Sequence, residues 1–178
     1  MRPSHPSIFP LLPTFAATLA VFTLAACQKK ARAPYEWEFR SGKTCFVRAD
    51  GTAVAPRKAP AAVHRATVAG NRIHGRPYRW GGGHRKVEDS AYDCSGAVSY
   101  TLIHAGLLDA PTTSTALKTY GKPGHGKYIT IYAKSGHTFM TVCGLRFDTG
   151  YGRGAKGPRW HTTPRPTKGY VVRHPPGL

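Results

Sequence analysis

The segment from Cys94 to Ala105 carries the clearest helical pattern in the chain. Its apolar and small residues recur with the three- and four-residue spacing that places side chains on one face of a helix. The residues in this pattern are Cys94, Ala97, Val98, Thr101, Leu102 and Ala105. Asp93 stands at the N-cap position and Gly106 just after the last turn, where each residue type is favoured. The sequence therefore predicts one helix with defined ends, whose apolar face must pack against a second layer.

Alternating apolar and polar residues after this helix predict an antiparallel sheet. The predicted strands are 127–134, 137–143 and 145–148, which follow one another through tight turns, and a short last strand at 169–173. A partial apolar stripe predicts a further helix over 63–73. Helices followed by a meander of strands indicate an α+β fold, in which the predicted helix that begins at Cys94 covers one face of the sheet.

The chain is strongly basic. Its 178 residues include 26 Lys and Arg against 8 Asp and Glu, which gives a formal net charge of +18. This length indicates a single domain. The composition excludes a collagen, a coiled coil and a polytopic membrane protein. The charge predicts attraction to polyanions, among which nucleic acid, anionic lipid and acidic cell-wall polymers all qualify.

An uncharged apolar run, Thr14–Ala26, lies near the N-terminus and is followed directly by Cys27. The run is shorter than the roughly 20 residues that cross a bilayer, and it fits the apolar region of a signal peptide. Its end, Leu24-Ala25-Ala26-Cys27, resembles a lipobox, which implies cleavage before Cys27 and lipidation of that residue. The alternative is an ordinary secretory signal followed by a cysteine by chance.

These features divide the chain into three predicted parts. Residues 1–26 form the lipoprotein signal peptide, residues 27–62 form a lipidated cysteine with a basic tether and a short packed segment, and residues 63–178 form the domain. Within the second part, residues 53–62 are interpreted as linker because they are rich in Pro and Ala. The anchor would hold the chain at a membrane of the cell envelope, and in a Gram-negative cell at the outer membrane facing the periplasm. There it meets anionic glycan and lipid, so no nucleic-acid partner is expected.

Three cysteines remain if Cys27 is lipidated. In an exported chain, an odd number leaves one thiol without an intramolecular partner. The economical division is a Cys45–Cys143 disulfide with a free Cys94. The alternative is three unpaired thiols, with Cys45 and Cys143 simply packed in the core.

Cys94 and His137 carry the pattern of an activated nucleophile. Cys94 begins the predicted helix, where the helix dipole and free backbone N–H groups favour an anion, so we expect a lowered thiol pKa. His137 opens a strand, from which it could reach toward the helix and form a thiolate–imidazolium pair. Asp148 lies on the returning strand, and its carboxylate could hold the imidazole by its other nitrogen.

Simpler interpretations exist for the same residues, because a lone cysteine is often an inert core residue. A metal centre is not expected, because the sequence has no CxxC or HExxH motif and its histidines are scattered. The other histidines are poorer candidates, because His104 is on the wrong face of the predicted helix and the rest, including His84 and His161, lie in loops, weak segments or the tail.

Three motifs occur in order along the chain. They read Pro-Tyr-Arg-Trp-Gly-Gly at 77–82, Asp-Cys-Ser-Gly at 93–96 and Gly-His at 136–137. Together they resemble the NlpC-like family of bacterial cell-wall cysteine peptidases, over about residues 63–150. The resemblance implies a compact papain-like α+β fold and no cofactor.

The resemblance also implies residue roles. Cys94 would be the nucleophile and His137 the base. Asp93 and Ser95 would flank the cleft and hold a free amine of the substrate, and Tyr78 would border the nucleophile. The third catalytic position, often His, Asn or Gln in the family, would be filled by Asp148, which is a departure from the usual pattern.

The predicted function is a lipid-anchored, monomeric peptidoglycan hydrolase. It would be an endopeptidase that cuts stem peptides, commonly between γ-D-glutamyl and diaminopimelate. One alternative is an amidase that cuts between the muramyl sugar and L-Ala, or a related Cys/His amidohydrolase. Another alternative is a non-catalytic basic lipoprotein that binds acidic cell-wall polymer.

Overall fold

The computed structural model describes residues 40–150, 152–163 and 165–178. The predicted signal peptide, the lipidation site at Cys27 and the first part of the tether lie outside these residues. Two α-helices are found in the described part, α1 (Ala61–Ile73) and α2 (Cys94–Ala105). The bounds of α2 are those predicted, and α1 begins two residues earlier than predicted. Neither of these helices is long and apolar enough to cross a membrane.

The strands of the described residues form two antiparallel sheets. The smaller sheet pairs β1 (Phe46–Val47) with β2 (Ala53–Val54). The larger sheet has the spatial order β3-β8-β4-β5-β6-β7, and all of its neighbouring strands are antiparallel. Its strands are β3 (Lys122–Pro123), β4 (Ile129–Lys134), β5 (His137–Val142), β6 (Leu145–Asp148), β7 (Arg159–His161) and β8 (Val171–His174). The prediction of an α+β fold is confirmed.

A two-residue turn returns β6 directly beside β5. Cys143 and Gly144 form this turn, with φ angles of 43° and 78°. Two successive positive φ angles suit a tight hairpin, because such a turn matches the twist of the strands it joins. Glycine adopts this conformation readily, whereas it is uncommon for a cysteine. The turn brings the end of β6 back toward the start of β5.

The two faces of the central strands have different surroundings. Met140 belongs to the buried core, where α2 packs against β5 and β6 while α1 packs against α2. Because side chains alternate along a strand, His137 and Phe139 lie on the opposite face from Met140. Residues 165–170, which we call the covering segment, lie over this second face. The ring of Tyr170 in that segment packs edge-on against the rings of His137 and Phe139.

The structure corrects the interpretation of residues 53–62 as linker. Ala53 begins β2 and is 2% exposed, and its backbone N–H and carbonyl both bond to the side chain of Asn71 at 2.8 Å. The indole N–H of Trp160 on β7 donates to the same Asn71 oxygen at 2.8 Å. β7 itself lies between the predicted strands 145–148 and 169–173, where the sequence analysis predicted no strand. Strands of two or three residues are too short to show a periodicity, so local pattern did not reveal them.

Cys45 and Cys143 lie side by side although they are far apart in the chain. The backbone N–H of Cys45 donates to the carbonyl oxygen of Cys143 at 3.1 Å, and the two side chains are hydrogen-bonded. This hydrogen bond and burial raise the pKa of the Cys45 thiol. Both residues are thiols in this structure. Their disulfide stays a prediction, now with the two side chains in contact.

We expect the exported chain to contain a Cys45–Cys143 disulfide when it folds in an oxidising compartment. Exchange with an oxidised thiol oxidoreductase would remove one hydrogen from each thiol and reduce the oxidoreductase in turn. Peptide mapping without reductant would show the linked pair, two hydrogens lighter than the sum of the free peptides. The Cys94→Ala variant should give the same linked pair. Free alkylation of both Cys45 and Cys143 in exported protein would contradict the prediction.

Candidate active site

Asp93 sets the start of α2 and therefore the position of Cys94. Asp93 is the N-cap, with an extended backbone, and its Oδ1 accepts a hydrogen bond from the N–H of Gly96 at 2.7 Å. At the other end Gly106 adopts a left-handed conformation with φ 74°. Both predicted helix ends are confirmed. The cap places Cys94 in the first turn, where backbone N–H groups have no partner within the helix.

The glycine-rich segment before α2 packs directly on its first turn. A Cβ atom on Gly96 would lie 2.0 Å from the carbonyl oxygen of Gly82. The same loop is also bonded to the N-cap residue, since the N–H of Gly81 donates to Oδ2 of Asp93 at 2.9 Å. Only residues without a side chain permit backbones to approach this closely. The small residues around Cys94 therefore serve the packing of this loop.

His84 joins the residues that flank Cys94. Its Nε2 lies 3.1 Å from Oδ1 of Asp93 and 3.1 Å from Oγ of Ser95. Ser95 also donates to Oδ1 of Asp93 at 3.1 Å. Asp93 and Ser95, predicted to hold a substrate amine, are thus engaged with internal partners and only 7% and 6% exposed. Their role toward substrate stays a prediction.

Sequence reasoning passed over His84 as a loop residue. The three glycines immediately before His84 could have indicated its position near Cys94, because they allow this loop to approach the start of α2 closely. Nothing local in the sequence indicated which side chains His84 would meet there.

The thiol of Cys94 is buried, with 7% of the residue exposed. Burial raises its pKa above the ordinary value, and the negative charges of Asp93 and Asp148 raise it further. Hydrogen bonds from the backbone N–H groups of Thr138 and Ser95 oppose this rise but do not outweigh it. The expectation of a lowered pKa for this thiol is therefore wrong, because burial outweighs the hydrogen bonds at the helix end. A thiolate at this position depends on a proton acceptor in the site.

His137 is the candidate proton acceptor. Thr138, whose N–H reaches the sulfur of Cys94, follows it directly in the chain, so the start of β5 lies against the start of α2. Nε2 of His137 lies 3.2 Å from Oδ1 of Asp148, and both side chains are buried.

The register of β5 and β6 explains how Asp148 reaches His137. Met140 pairs with Phe147. Continuing the register by one residue sets Asp148 beside Phe139, which is two residues from His137 on the same face of the sheet. The predicted approach of Asp148 to His137 agrees with this geometry.

Asp148 is a fully ionised carboxylate in a buried setting. Burial favours its neutral form, but the hydrogen bond with His137 and the charges of Arg165 and Arg146 outweigh burial and lower its pKa to about 2. Arg165 donates to Oδ2 at 2.9 Å, Arg146 donates to the same oxygen, and the N–H of Gly150 donates to Oδ1 at 3.1 Å. Asp148 therefore stays charged wherever a thiol or an imidazole titrates.

Sequence reasoning did not single out either arginine. For Arg146 a signal existed, because it precedes Asp148 by two residues on a predicted strand, which places both on one face. Arg165 lies in the covering segment, which has no periodicity, and only the tertiary structure brings it to Asp148.

Tyr78 lies near Cys94, and its predicted role at the nucleophile stays a prediction. Its backbone pairs in parallel with that of Tyr92, two residues before Cys94. Burial raises the pKa of the Tyr78 hydroxyl, and the nearby charges of Cys94 and Asp93 raise it further. The structure thus brings the predicted catalytic and substrate-binding residues together near the start of α2 and the start of β5. These are Tyr78, Asp93, Cys94, Ser95, His137 and Asp148. No group of three or more His, Cys, Asp or Glu in the described part of the chain could hold a metal ion.

Comparison with known proteins gives a structural likeness only. No protein-family profile matches the sequence, and no curated protein matches it. The chain is similar in structure to an NlpC/P60 family protein from Bacillus cereus, with a TM-score of 0.50 and 19% identity. The aligned region covers 77% of this chain and 43% of that protein. The likeness shows that the fold is of the NlpC/P60 type, which confirms the predicted fold.

Two other solved structures are similar to a lesser degree. The P60 domain of an antigen from M. avium subspecies paratuberculosis has a TM-score of 0.47 and 21% identity, and the alignment covers 63% of this chain and 93% of that one. A mutated form of the resuscitation promoting factor interacting protein RipA also has a TM-score of 0.47 and 21% identity, with 66% of each chain covered.

Replacement of Gly96 by alanine should distort the start of α2. The added Cβ would meet the carbonyl oxygen of Gly82, and overpacking of this kind typically costs about 1–3 kcal/mol. Thermal unfolding should show a lower Tm. The matched control is Gly154→Ala, because a Cβ on Gly154 would meet nothing within 4 Å and should leave the Tm nearly unchanged. Equal shifts in the two variants would contradict the close contact.

The reactivity of Cys94 should depend on His137. In protein whose Cys45 and Cys143 are kept reduced, iodoacetamide at neutral pH should label Cys94 before these two thiols, because an imidazole can take the proton of Cys94. In His137→Ala the raised pKa of the buried thiol governs reactivity, so labelling at pH 7 should fall at least about 10-fold and recover as the pH rises. Mass spectrometry of labelled peptides over a pH series measures this, with Cys45 and Cys143 as internal controls. Unchanged labelling of Cys94 in the variant would show that His137 is not the acceptor.

Proposed function

We propose that this chain is a cysteine peptidase that acts on the stem peptides of peptidoglycan. In this proposal Cys94 is the nucleophile, His137 carries the proton and Asp148 positions the imidazole. The observation that carries it is the contact between the start of α2, which holds the thiol, and the start of β5, where His137 faces the Asp148 carboxylate. The resemblance of the three motifs to cell-wall cysteine peptidases and the NlpC/P60-type fold support the substrate class.

The first half of the reaction forms a thioester. His137 takes the proton of Cys94, and the thiolate attacks the carbonyl carbon of the peptide bond. The backbone N–H of Cys94, in the first turn of α2, would donate to the oxyanion that develops. The protonated His137 then gives its proton to the leaving amine as the C–N bond breaks.

The second half releases the acyl group. His137 takes a proton from water, the resulting hydroxide attacks the thioester carbonyl, and the sulfur of Cys94 leaves as thiolate. The thiolate recovers the proton from His137. Asp148 stays ionised throughout, so its role is to hold the ring and to stabilise the positive charge of the imidazolium.

The finer parts of the proposal concern substrate and location. The bond cut would join γ-D-glutamyl to diaminopimelate, with Tyr78, Asp93 and Ser95 lining the cleft, and no cofactor would be required. The chain would act as a monomer, anchored through lipid on Cys27 after removal of residues 1–26, with residues 63–178 as the catalytic domain. Removal of residues 1–26 takes away one positive charge, that of Arg2, and the remaining formal charge of +17 would favour contact with the anionic wall.

Digestion of purified sacculi tests the proposal directly. The full chain and its Cys94→Ala variant are incubated with sacculi, and the soluble products are weighed by mass spectrometry. Wild-type protein should release peptide fragments whose masses identify cleavage within the stem, and the variant should release none. Circular dichroism establishes that the variant is folded.

The other outcomes distinguish the alternatives. Release of whole stem peptides, with bare glycan left behind, would identify an amidase that cuts next to the muramyl sugar. Equal results for the wild type and Cys94→Ala, with binding to sacculi but no release, would indicate a non-catalytic wall-binding protein. Either result would overturn the proposed endopeptidase.

Replacement of Asp148 should lower the peptidase activity less than replacement of Cys94 or His137. Cys94→Ala and His137→Ala should each remove nearly all activity, and the double variant should be little worse because the pair acts as one unit. Asp148→Asn keeps a hydrogen-bonding group beside the ring, so kcat/KM on a stem tripeptide or tetrapeptide should fall by roughly 10–1000-fold. Asp148→Ala should be worse, since alanine cannot hold the ring.

The structure adds a stability control to this series. Asp148→Ala also leaves the guanidinium groups of Arg146 and Arg165 without their shared carboxylate, and removing one partner of a buried ion pair typically costs about 3–5 kcal/mol. Thermal unfolding must therefore accompany the kinetics, and rates are compared well below the lowest Tm. Wild-type kcat/KM in folded Asp148→Asn and Asp148→Ala would show that another group orients His137.

A further inference from the structure

A cavity of about 410 Å³ opens on the face of the sheet that carries His137 and Asp148. It lies between the ends of β4 and β6 and the covering segment. Its lining residues are Lys134, Arg146, Arg165, Pro166, Lys168 and Tyr170. The proposed mechanism uses Arg146 and Arg165 to hold Asp148 but assigns nothing to the cavity itself.

The cavity is next to the candidate catalytic pair. Arg146 and Arg165 both bond to Oδ2 of Asp148. Tyr170 packs edge-on against His137, with ring centres 6.2 Å apart. A molecule in the cavity would therefore be separated from the imidazole by a single layer of side chains.

The lining is strongly positive. Four of the six lining residues are cations and none is acidic. Arg146 and Arg165 both donate to Oδ2 of Asp148, and Oδ1 accepts from the N–H of Gly150. The six lining residues by themselves therefore carry a net positive charge. The excess favours an anion in the cavity.

Three of the cations are held in place rather than loose on the surface. Arg146 is 6% exposed and donates to the carbonyl oxygen and hydroxyl of Thr163 at 3.3 and 3.1 Å. The guanidinium of Arg165 lies over the ring of Phe139 at 5.4 Å, and the ammonium of Lys134 lies over the ring of Tyr170 at 4.7 Å. Cations fixed in advance lose little side-chain entropy when an anion binds.

We propose that this cavity is a subsite that binds a carboxylate on the leaving half of the substrate. The leaving half is the part whose amine takes the proton from His137 when the peptide bond breaks. The inference rests on the proposed function and adds a specificity to it. The leaving half of a peptide carries at least its own C-terminal carboxylate, and planar guanidinium groups and lysines are the side chains that bind carboxylates best. The subsite favours substrates whose leaving half bears a free acid over those in which that acid is an amide.

Binding is tested first without catalysis. The full-length Cys94→Ala chain is titrated with glutarate, with its neutral analogue glutaramide and with inorganic phosphate, and NMR shifts are followed. Glutarate should bind and shift the Tyr170 signals, glutaramide should not, and added salt should weaken the binding. In a Lys168→Gln background, affinity for glutarate should fall about 3–10-fold. Lys58→Gln, which removes another exposed lysine that is outside the lining, should leave the affinity unchanged.

Specificity is tested next with paired substrates. Two stem peptides that differ only in a free acid or a primary amide on the leaving half are compared by kcat/KM. The acid should be preferred by about 10-fold or more, and the preference should shrink in Lys168→Gln but persist in Lys58→Gln. A general loss of folding would lower both rates and leave their ratio intact.

Equal binding of glutarate and glutaramide would overturn the subsite, as would an equal loss of glutarate affinity in Lys168→Gln and Lys58→Gln. Equal kcat/KM for the acid and the amide peptide would also overturn it. Binding of phosphate without binding of glutarate would identify a phosphate site instead. If neither peptide is cleaved while glutarate still binds as described, the proposed peptidase fails but the cavity remains a carboxylate site. The two failures are thus distinguishable.

Discussion

The buried carboxylate of Asp148 is the interaction on which the arrangement of the candidate site depends. A charge this deep in the protein is tolerated only when donors surround it. Here the donors come from three parts of the chain: His137 on β5, Arg146 on β6 with the N–H of Gly150 just after that strand, and Arg165 in the covering segment. The same carboxylate therefore orients the imidazole, holds the covering segment over the sheet and gathers the positive charge around the cavity.

Activation of the thiol requires a partner rather than a helix end. Burial and two nearby carboxylates raise the pKa of Cys94 more than the backbone N–H groups of Thr138 and Ser95 lower it. The N–H of Ser95 at the start of α2 lowers the pKa of a group that water no longer solvates, and the effect of burial is larger. In the proposed mechanism the thiolate forms as an ion pair with His137. That chemistry would couple the helix to the sheet, since α2 would supply the thiol and β5 its proton acceptor.

Asp93 connects the local structure of α2 with the loop before it. One oxygen caps the helix through the N–H of Gly96 and also meets His84 and Ser95, while the other accepts from the N–H of Gly81. The close contact between Gly82 and Gly96 depends on the absence of side chains. The Asp-Cys-Ser-Gly motif is therefore explained in part by packing, and substrate contacts need not be the reason for each of its residues.

The sequence by itself determined the features that depend on neighbouring residues or on short motifs. The apolar spacing and caps of α2 and the alternation of β4 to β6 depend on neighbouring residues and were predicted with nearly correct bounds. The pairing of His137 with Asp148 followed from a short turn between adjacent strands. The short strands β1, β2 and β7, the raised pKa of Cys94 and the arrival of His84 and Arg165 at the site were decided by the tertiary structure. Each depends on burial or on contacts between distant segments, and neither is encoded in the periodicity of a single segment.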